Sequence, residues 1–448
     1  MTMARKIEDE DFYHGLLPRE DIPYLLRNVG DYLVRSTETN TGAPRQLVLS
    51  VAIATDGPPS FGQPVDFFGR AIGIKHVVIH SFNNKFACDG KNPFDSVQQL
   101  LNFYQSSGVS VMPTCPGVIP SRAIPRQQWE LRHADVHLEK KLGEGAFGEV
   151  HRGTLMLQSM RKIDVAIKIA KAGAGEMTKE KIKEMMNEAR LMRNYDHRNV
   201  VKLYGVCVEY EPLMIVMELI NGGSLDEYLK RNKAPLEEKI ENMMCGAAWG
   251  LEYLHQKSCI HRDIAARNCL YANQTVKISD FGLSREGFQY AMRVVRRVPI
   301  KWLAPETIHS LIYNAKTDVW SFGVMVWEIF ANGDEPYPGM TNAEVKERVP
   351  QGYRMDMPHE TPHDIAKLIT HECWVIRPEN RPSMTQVVHA LEAITGKAPG
   401  SWSHPKTPPP AGPLGKCAIG VSMKRTRKKK NKKDKDHQQN SHSAGDKK

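Results

Sequence analysis

The stretch HRDIAARN, residues 261–268, places an acid (Asp263), a cation (Arg267) and a carboxamide (Asn268) within six positions. Seventeen residues beyond Asp263 comes Asp280, in SDFG (279–282), behind the strand-like TVKI. Asp263 is suited to accept the proton of an attacking hydroxyl. Asn268 and Asp280 are hard oxygen donors suited to Mg²⁺. Upstream, LGEGAFGEV (142–150) has the spacing G-x-G-x-x-G-x-V between two strand-like runs. Such glycines let backbone N–H groups approach phosphate oxygens, while Leu142 and Val150 can cover a flat base. No G-K-[ST] follows, and the next segment reads as strand, so neither a Walker loop nor a dinucleotide fold is expected. VAIK then ends in Lys168, whose ammonium could reach phosphates if a carboxylate steadied it. Glu188, on the helical KEKIKEMMNEARLMRNY, is the candidate. Taken singly, each feature has an ordinary explanation: hairpin glycines, a half-exposed strand lysine, a solvated helix glutamate. Their order along one chain points to phosphoryl transfer, which needs positioning and charge neutralisation more than covalent chemistry.

In that order the motifs resemble the eukaryotic protein kinase domain, across residues 135–397. The likeness continues through APE (304–306), DVWSFG (318–323) and Arg381 in RPENRPSM. It implies ATP with Mg²⁺, or Mn²⁺ as an alternative, and catalysis by Asp263, Lys168, Arg267 and Glu188, with Asn268 and Asp280 as metal ligands. The nucleotide would contact Leu142, Gly143, Glu144, Gly145, Ala146, Phe147, Gly148, Glu149 and Val150. It would also contact Ala166, Lys168, Met217 as gatekeeper, Glu218, Leu219 and Leu270. Glu306 would pair with Arg381, and Asp318 would brace the catalytic loop. Met192, Leu203, His261 and Phe281 would stack between the lobes. Ala265 stands where serine/threonine kinases usually carry lysine, and Arg267 restores the cation two residues later. Together with the segment VPIKWLAPE (298–306), this implies a tyrosine acceptor. Tyr290 lies alone between Asp280 and Glu306 and is the expected autophosphorylation site, with Arg262, Arg285 or Arg293 as partners for its phosphate. The alternative is a pseudokinase adaptor that binds partners without catalysis.

A smaller unit spans residues 12–118. YLVRST and QLVLSVAIA read as strands, REDIPYLLRNVG as a helix ending at Gly30, and FDSVQQLLNFYQ as an amphipathic helix with Phe94, Val97, Leu101 and Tyr104 in register. The Gly/Pro-rich stretch 55–73 is expected to be a surface loop. Arg35 follows Leu33 and Val34 on a buried-looking strand, where an arginine needs a partner; a bidentate fork for phosphate is one such use. With IKHVVIH, these pieces resemble a Src-homology-2 (SH2) domain. That resemblance implies a central antiparallel sheet flanked by two helices, and phosphotyrosine binding by Arg35 with Arg19, Thr37 and His76. Val78 replaces the lysine of the Src pattern. The whole layout is therefore α+β: residues 1–11 as an extension, the SH2 unit, a linker at 119–134 containing Trp129, and a bilobal kinase unit. It is similar to the cytoplasmic non-receptor tyrosine kinases, closest to the Fes/Fer group.

Composition agrees. The 448 residues carry a formal charge of +10, but residues 398–448 hold 13 Lys and Arg against 3 Asp and Glu, so the rest sums to zero. This Pro-rich, then polybasic tail is expected to be disordered. Residues 424–435 would sit on anionic lipid, or else serve as a nuclear-localisation or RNA-binding stretch or a solubilising tail. No aromatic residues interleave to stack on bases, so no specific nucleic acid is expected. The eight cysteines form no C-x-x-C pair, and no apolar run nears the roughly 20 residues of a membrane span. A cytoplasmic protein is expected, peripheral at the plasma membrane or nuclear as finer possibilities, whose partners are tyrosine-phosphorylated proteins and tyrosine substrates.

Overall fold

The computed structural model describes residues 6–40, 42–55, 65–66, 68–145, 148–170, 177–292 and 298–398. Ala146, Phe147, Arg293, most of the 55–73 stretch, residues 1–5 and the tail from 399 onward lie outside the described residues.

A 3₁₀ turn at Ile7–Asp9 comes first; a second, Arg19–Asp21, then runs into a single α-helical turn, α1 (Ile22–Leu25), shorter than the pattern of 19–30 predicts. The Asp31 carboxylate accepts from the backbone N–H groups of Arg27 and Asn28, which diverts the chain. Gly30 (φ +88°) serves the turn into the first sheet, not a helix end. That sheet has the order β4-β3-β2-β1-β5. Its meander comprises β1 (Asp31–Glu38), β2 (Arg45–Ala54), β3 (Ile72–Phe82) and β4 (Lys85–Ala87). The last two residues of the expected loop, Ile72 and Gly73, belong to β3. Side chains alternate across a strand, so Tyr32 and Val34 pack against Leu100, Leu101 and Tyr104 of α2 (Val97–Ser107). Ser96 caps α2 by accepting from the Gln99 N–H, and Phe94 lies before the helix, bridged to Phe86. The opposite face, with Leu33, Ala52 and Ile72, continues into the core of the larger unit. Five successive β1 residues, Asp31 to Arg35, are buried because both faces are covered.

The 119–134 segment reads as a connector but is paired at both ends. Its β5 (Arg122–Ala123) runs parallel to β1, and its β6 (Glu130–Leu131) runs parallel to the strand Leu203–Cys207 of the larger unit. Pro120 and Pro125 favour an extended chain around the first pairing.

The second sheet has the order β6-β10-β11-β9-β8-β7. It is built from β7 (Val136–Gly145), β8 (Gly148–Met156), β9 (Lys162–Ile169), β10 (Leu203–Cys207) and β11 (Met214–Glu218). Helix α3 (Lys179–Met192) is capped by Thr178 and buries Ile182, Met185, Met186, Ala189 and Met192. The remainder is mainly helical. Its centre is the helix Ala315–Phe330, mostly apolar, where every residue from Thr317 onward is buried, Asp318 and Glu328 included. A full capping box at Asn314 and Thr317 fixes its start. The architecture is α+β, with a β-rich lobe, a helical lobe and the smaller sheet unit docked on the former.

Candidate active site

The β7–β8 hairpin forms the roof of the cleft. Gly148 has φ +149°, and a Cβ there would meet the Ile169 carbonyl oxygen at 2.0 Å, so only glycine lets β8 approach the end of β9 this closely. Glu144 and Glu149 both pair with Lys141, at 2.8 and 2.6 Å. Their carboxylates are thus engaged across the hairpin, leaving the backbone to offer donors at the loop. Val150, Ala166, Met217 and Leu270 are buried, while Leu142, Gly143, Glu218 and Leu219 are half-buried. Ala166 is paired in register with Met217.

Lys168 lies beside Val150 in register and is 5% exposed. Its Nζ lies 2.7 Å from each carboxylate oxygen of Glu188. Burial opposes the ammonium charge, but Glu188 and Asp280 outweigh it and raise the Lys168 pKa. The expected pairing therefore exists, with α3 in the position that allows it.

Asp318 braces the catalytic loop by accepting from the backbone N–H groups of His261 (2.7 Å) and Arg262 (2.8 Å). Asn268 donates its amide N–H to the Asp263 carbonyl at 2.7 Å, which leaves its buried Oδ1 without a hydrogen-bond partner. Asp280 is in the left-handed region at φ +60°. Its carboxyl is pushed up to about 6 by burial, with Glu188 and Asp263 adding to the rise and Lys168 opposing it. An orphaned amide oxygen near a desolvated carboxylate fits a hard divalent cation. Among the described residues no group of three or more His, Cys, Asp or Glu is placed to hold a metal ion. Arg267 forms an ion pair with Asp263 and lies over the Trp302 ring, 4.2 Å from its centroid. Ala265 is fully buried. His261 and Phe281 meet edge to face at 5.2 Å, with Met192 in the same core and Leu203 packed against it. Glu306 and Arg381 pair through two bonds of 2.6 and 2.7 Å.

In the smaller unit, Arg35 is 5% exposed, with its Nε lacking any hydrogen-bond partner. Among the described residues no carboxylate pairs with it. Burial lowers its pKa to about 10, and nearby Arg19 adds to the fall. His76, opposite Ser50 on β2, has its Nδ1 2.9 Å from the Ser50 Oγ. Burial, then the charges of Arg35 and Arg19, hold its imidazole down at about 4. Arg19 is exposed, and Thr37 contributes a half-buried hydroxyl two residues after Arg35.

Comparison with known families settles the class. The profile described as protein tyrosine and serine/threonine kinase matches residues 136–391. The chain belongs to this kinase family. The SH2 domain profile matches residues 12–104. Tyrosine-protein kinase Fer of Homo sapiens is 39% identical over 398 residues, covering 88% of this chain and 45% of the relative. Fer-related kinase 1 of Caenorhabditis elegans is 39% identical over 388 residues, covering 86% of this chain and 94% of the relative. The transforming protein Fps of Avian sarcoma virus (strain PRCII) is 36% identical over 390 residues. The chain spans less than half the length of the Fer relatives. No helix among the described residues is long and apolar enough to cross a membrane.

In this kinase, Tyr290 lies under the Arg262 guanidinium at 4.1 Å and near that of Arg285 at 5.3 Å. It is held in a short strand, Gln289–Ala291, against Ile312–Asn314. Two of its three expected phosphate partners are therefore adjacent. What the motifs do not reveal is how the units join. Asp21 accepts two bonds of 2.8 Å from Arg190 of α3, one turn or less from Glu188. Arg45 pairs with Glu211, and Arg126 with Glu209. Arg193 covers the Trp129 ring at 4.3 Å. Only the Trp129 position carried a signal in the sequence.

Proposed function

We propose that the chain transfers the γ-phosphate of ATP to tyrosine hydroxyls of proteins, and that its SH2 domain recruits it to phosphotyrosine sites. The observation that carries this is the Lys168–Glu188 pair, closed at 2.7 Å in a cleft shared with Asp280. In this reading Lys168, held by Glu188, binds the α- and β-phosphates, beneath Leu142, Gly143, Glu144, Gly145, Gly148, Glu149 and Val150. Met217, Glu218 and Leu219 edge the base, with Ala166 and Leu270 against its faces. Asp263 orients the phenol and takes its proton, and Arg267 keeps that carboxylate in place. Asn268 and Asp280 would hold Mg²⁺, which when bound neutralises phosphate charge. With alanine at 265, the cation paired with Asp263 is Arg267, in keeping with a longer phenolic acceptor.

Arg35 binds the phosphate of a phosphotyrosine, with Arg19, Thr37 and His76 around it. Tyr290 is the autophosphorylation site, its new charge met by Arg262 and Arg285. The division 12–118, 119–134, 135–397 assigns one domain to each side of a linker that adds a strand to both sheets. The Asp21–Arg190 pair supports an SH2 domain that steadies α3 rather than restraining it. An Arg35→Leu variant with higher kinase activity would favour a clamp instead. The chain works in the cytoplasm, and residues 424–435 attach it to anionic lipid, which sedimentation with anionic liposomes, with and without 424–448, decides.

The central test is incubation with ATP-Mg²⁺ and a tyrosine peptide, read with an anti-phosphotyrosine antibody beside Lys168→Met and Asp263→Asn. Signal from the wild type alone is expected. Equal signal or none from all three leaves an adaptor that binds phosphotyrosine without catalysis.

A further inference from the structure

We propose that Glu328 is a positioning residue for the acceptor side of the reaction, locking the catalytic loop to the peptide platform through Trp302. The proposal rests on the kinase reading above. Glu328 lies near the end of the central helix Ala315–Phe330 and is 3% exposed. One of its oxygens, Oε2, accepts two hydrogen bonds of 2.9 Å. The first comes from the backbone N–H of Ala266, in the catalytic loop, and the second from the indole Nε1–H of Trp302. Two segments far apart in the chain therefore meet on a single atom that neither contains.

The consequence reaches the reacting groups by a short path. The Trp302 ring carries the Arg267 guanidinium at 4.2 Å, and Arg267 is ion-paired with Asp263. Arg267 also keeps a buried Nη1 with no hydrogen-bond partner. Ala265 and Ala266 are fully buried, so Arg267 is the first side chain after Asp263 that can reach outward on this side of the loop. If Trp302 turned, the aromatic support under Arg267 would go with it, and Asp263 would lose a fixed counter-charge.

A carboxylate in this place is not there for stability. Burial pushes it up to about 7, with Trp302, Ala266 and Arg267 opposing the rise and Asp226 adding to it. A buried acid without a direct ion-pair partner is normally a cost to the fold. What it supplies, and an apolar residue of the same size does not, is an acceptor shared by two loops.

The test is steady-state kinetics of the full chain with ATP-Mg²⁺ and a tyrosine peptide. Glu328→Ala removes the acceptor, Glu328→Gln keeps an acceptor oxygen without the charge, and Trp302→Phe keeps the ring without the N–H. Glu328→Ala and Trp302→Phe are each expected to lower kcat/KM for the peptide about tenfold while KM for ATP stays within about twofold. The double variant should be no worse than the poorer single, because both break one path. Glu328→Gln should recover most of the loss. Should Glu328→Ala fail to fold, Glu328→Gln and Trp302→Phe still carry the test. Losses that add, a KM for ATP that moves as far as that for peptide, or an unaffected Trp302→Phe would overturn the proposal with the kinase reading intact. A wild type inactive on every tyrosine peptide overturns that reading, and this role with it.

Discussion

Each unit of the chain buries a cation in its candidate site, under opposite conditions. Lys168 is closed onto Glu188 through two contacts of 2.7 Å, and the pair survives burial because the carboxylates outweigh desolvation. Arg35 is as buried, but among the described residues no carboxylate pairs with it; its Nε is unbonded, and Arg19 pushes against it with only Glu20 opposing. A buried pair is a tool set in advance, ready before any ligand arrives. A buried lone cation is a debt of solvation that a ligand must settle, and a phosphate dianion is the chemistry that does so through a guanidinium fork. The kinase cleft is thus organised by its own side chains, whereas the SH2 pocket is organised around a charge it does not contain.

The sharpest test of that contrast is activity. Asp263→Asn keeps the shape of the site and removes the proton acceptor, so phosphotransfer should fall about 10²- to 10⁴-fold. Lys168→Met should be comparably poor, measured as initial rate with tyrosine peptide. Next comes affinity. Arg35→Leu should weaken phosphotyrosine-peptide binding about a hundredfold by calorimetry, since two charge-assisted bonds are lost together. A loss of twofold or less would mean that the phosphate binds elsewhere. Stability then separates the two cations by sign. Glu188→Ala removes the carboxylate hydrogen-bonded to buried Lys168 and should cost about 3 kcal/mol in denaturant unfolding. Arg35→Leu removes a charge that is already unpaired and should leave stability equal or higher. Equal destabilisation by both would erase the distinction.

How far these features can be read in the sequence follows the same division. Lys168, Asp263, Asn268 and Asp280 are legible because each sits in a short motif whose chemistry needs that residue at that spacing. Glu188 has no local motif and reads alone as a solvated helix residue; only the motifs around it make it a candidate, and its burial beside Met185 and Met192 is a property of the fold. Strands β1 and β2 are legible as short apolar, β-branched runs, YLVRST and QLVLSVAIA. The helix predicted over 19–30 is present from Arg19 to Leu25 but stops there, because the Asp31 carboxylate, a neighbour outside the pattern, captures the backbone donors of Arg27 and Asn28. The linker fails as a free connector because its strand partners, β1 and β10, lie on different domains. Asp21 and Arg190 are separated by 168 intervening residues, and no periodicity within either segment encodes their meeting. Glu328 reads as one more residue of a core helix until Trp302 and Ala266 arrive at its carboxylate.

The smallest effect bears most directly on what the SH2 pocket is waiting for. His76 is held down at about 4 by burial and by Arg35 and Arg19, against an ordinary 6.5. The unfolded chain therefore takes up a proton on this side chain below about 6.5 while the folded chain does not. The stability it contributes is full above that pH and is lost as pH falls towards 4, so His76→Gln should flatten the fall in Tm across this window. Arg35→Leu removes one of the two charges opposing imidazolium and should move the His76 midpoint upward, read by NMR titration of the ring protons. A bound phosphotyrosine dianion should move it further in the same direction, because the nearest net charge then changes sign. If the midpoint rises with Arg35→Leu but stays fixed when phosphopeptide binds, Arg35 faces His76 as described and the phosphate has gone elsewhere. That outcome would leave the lone cation unexplained and remove the contrast with Lys168.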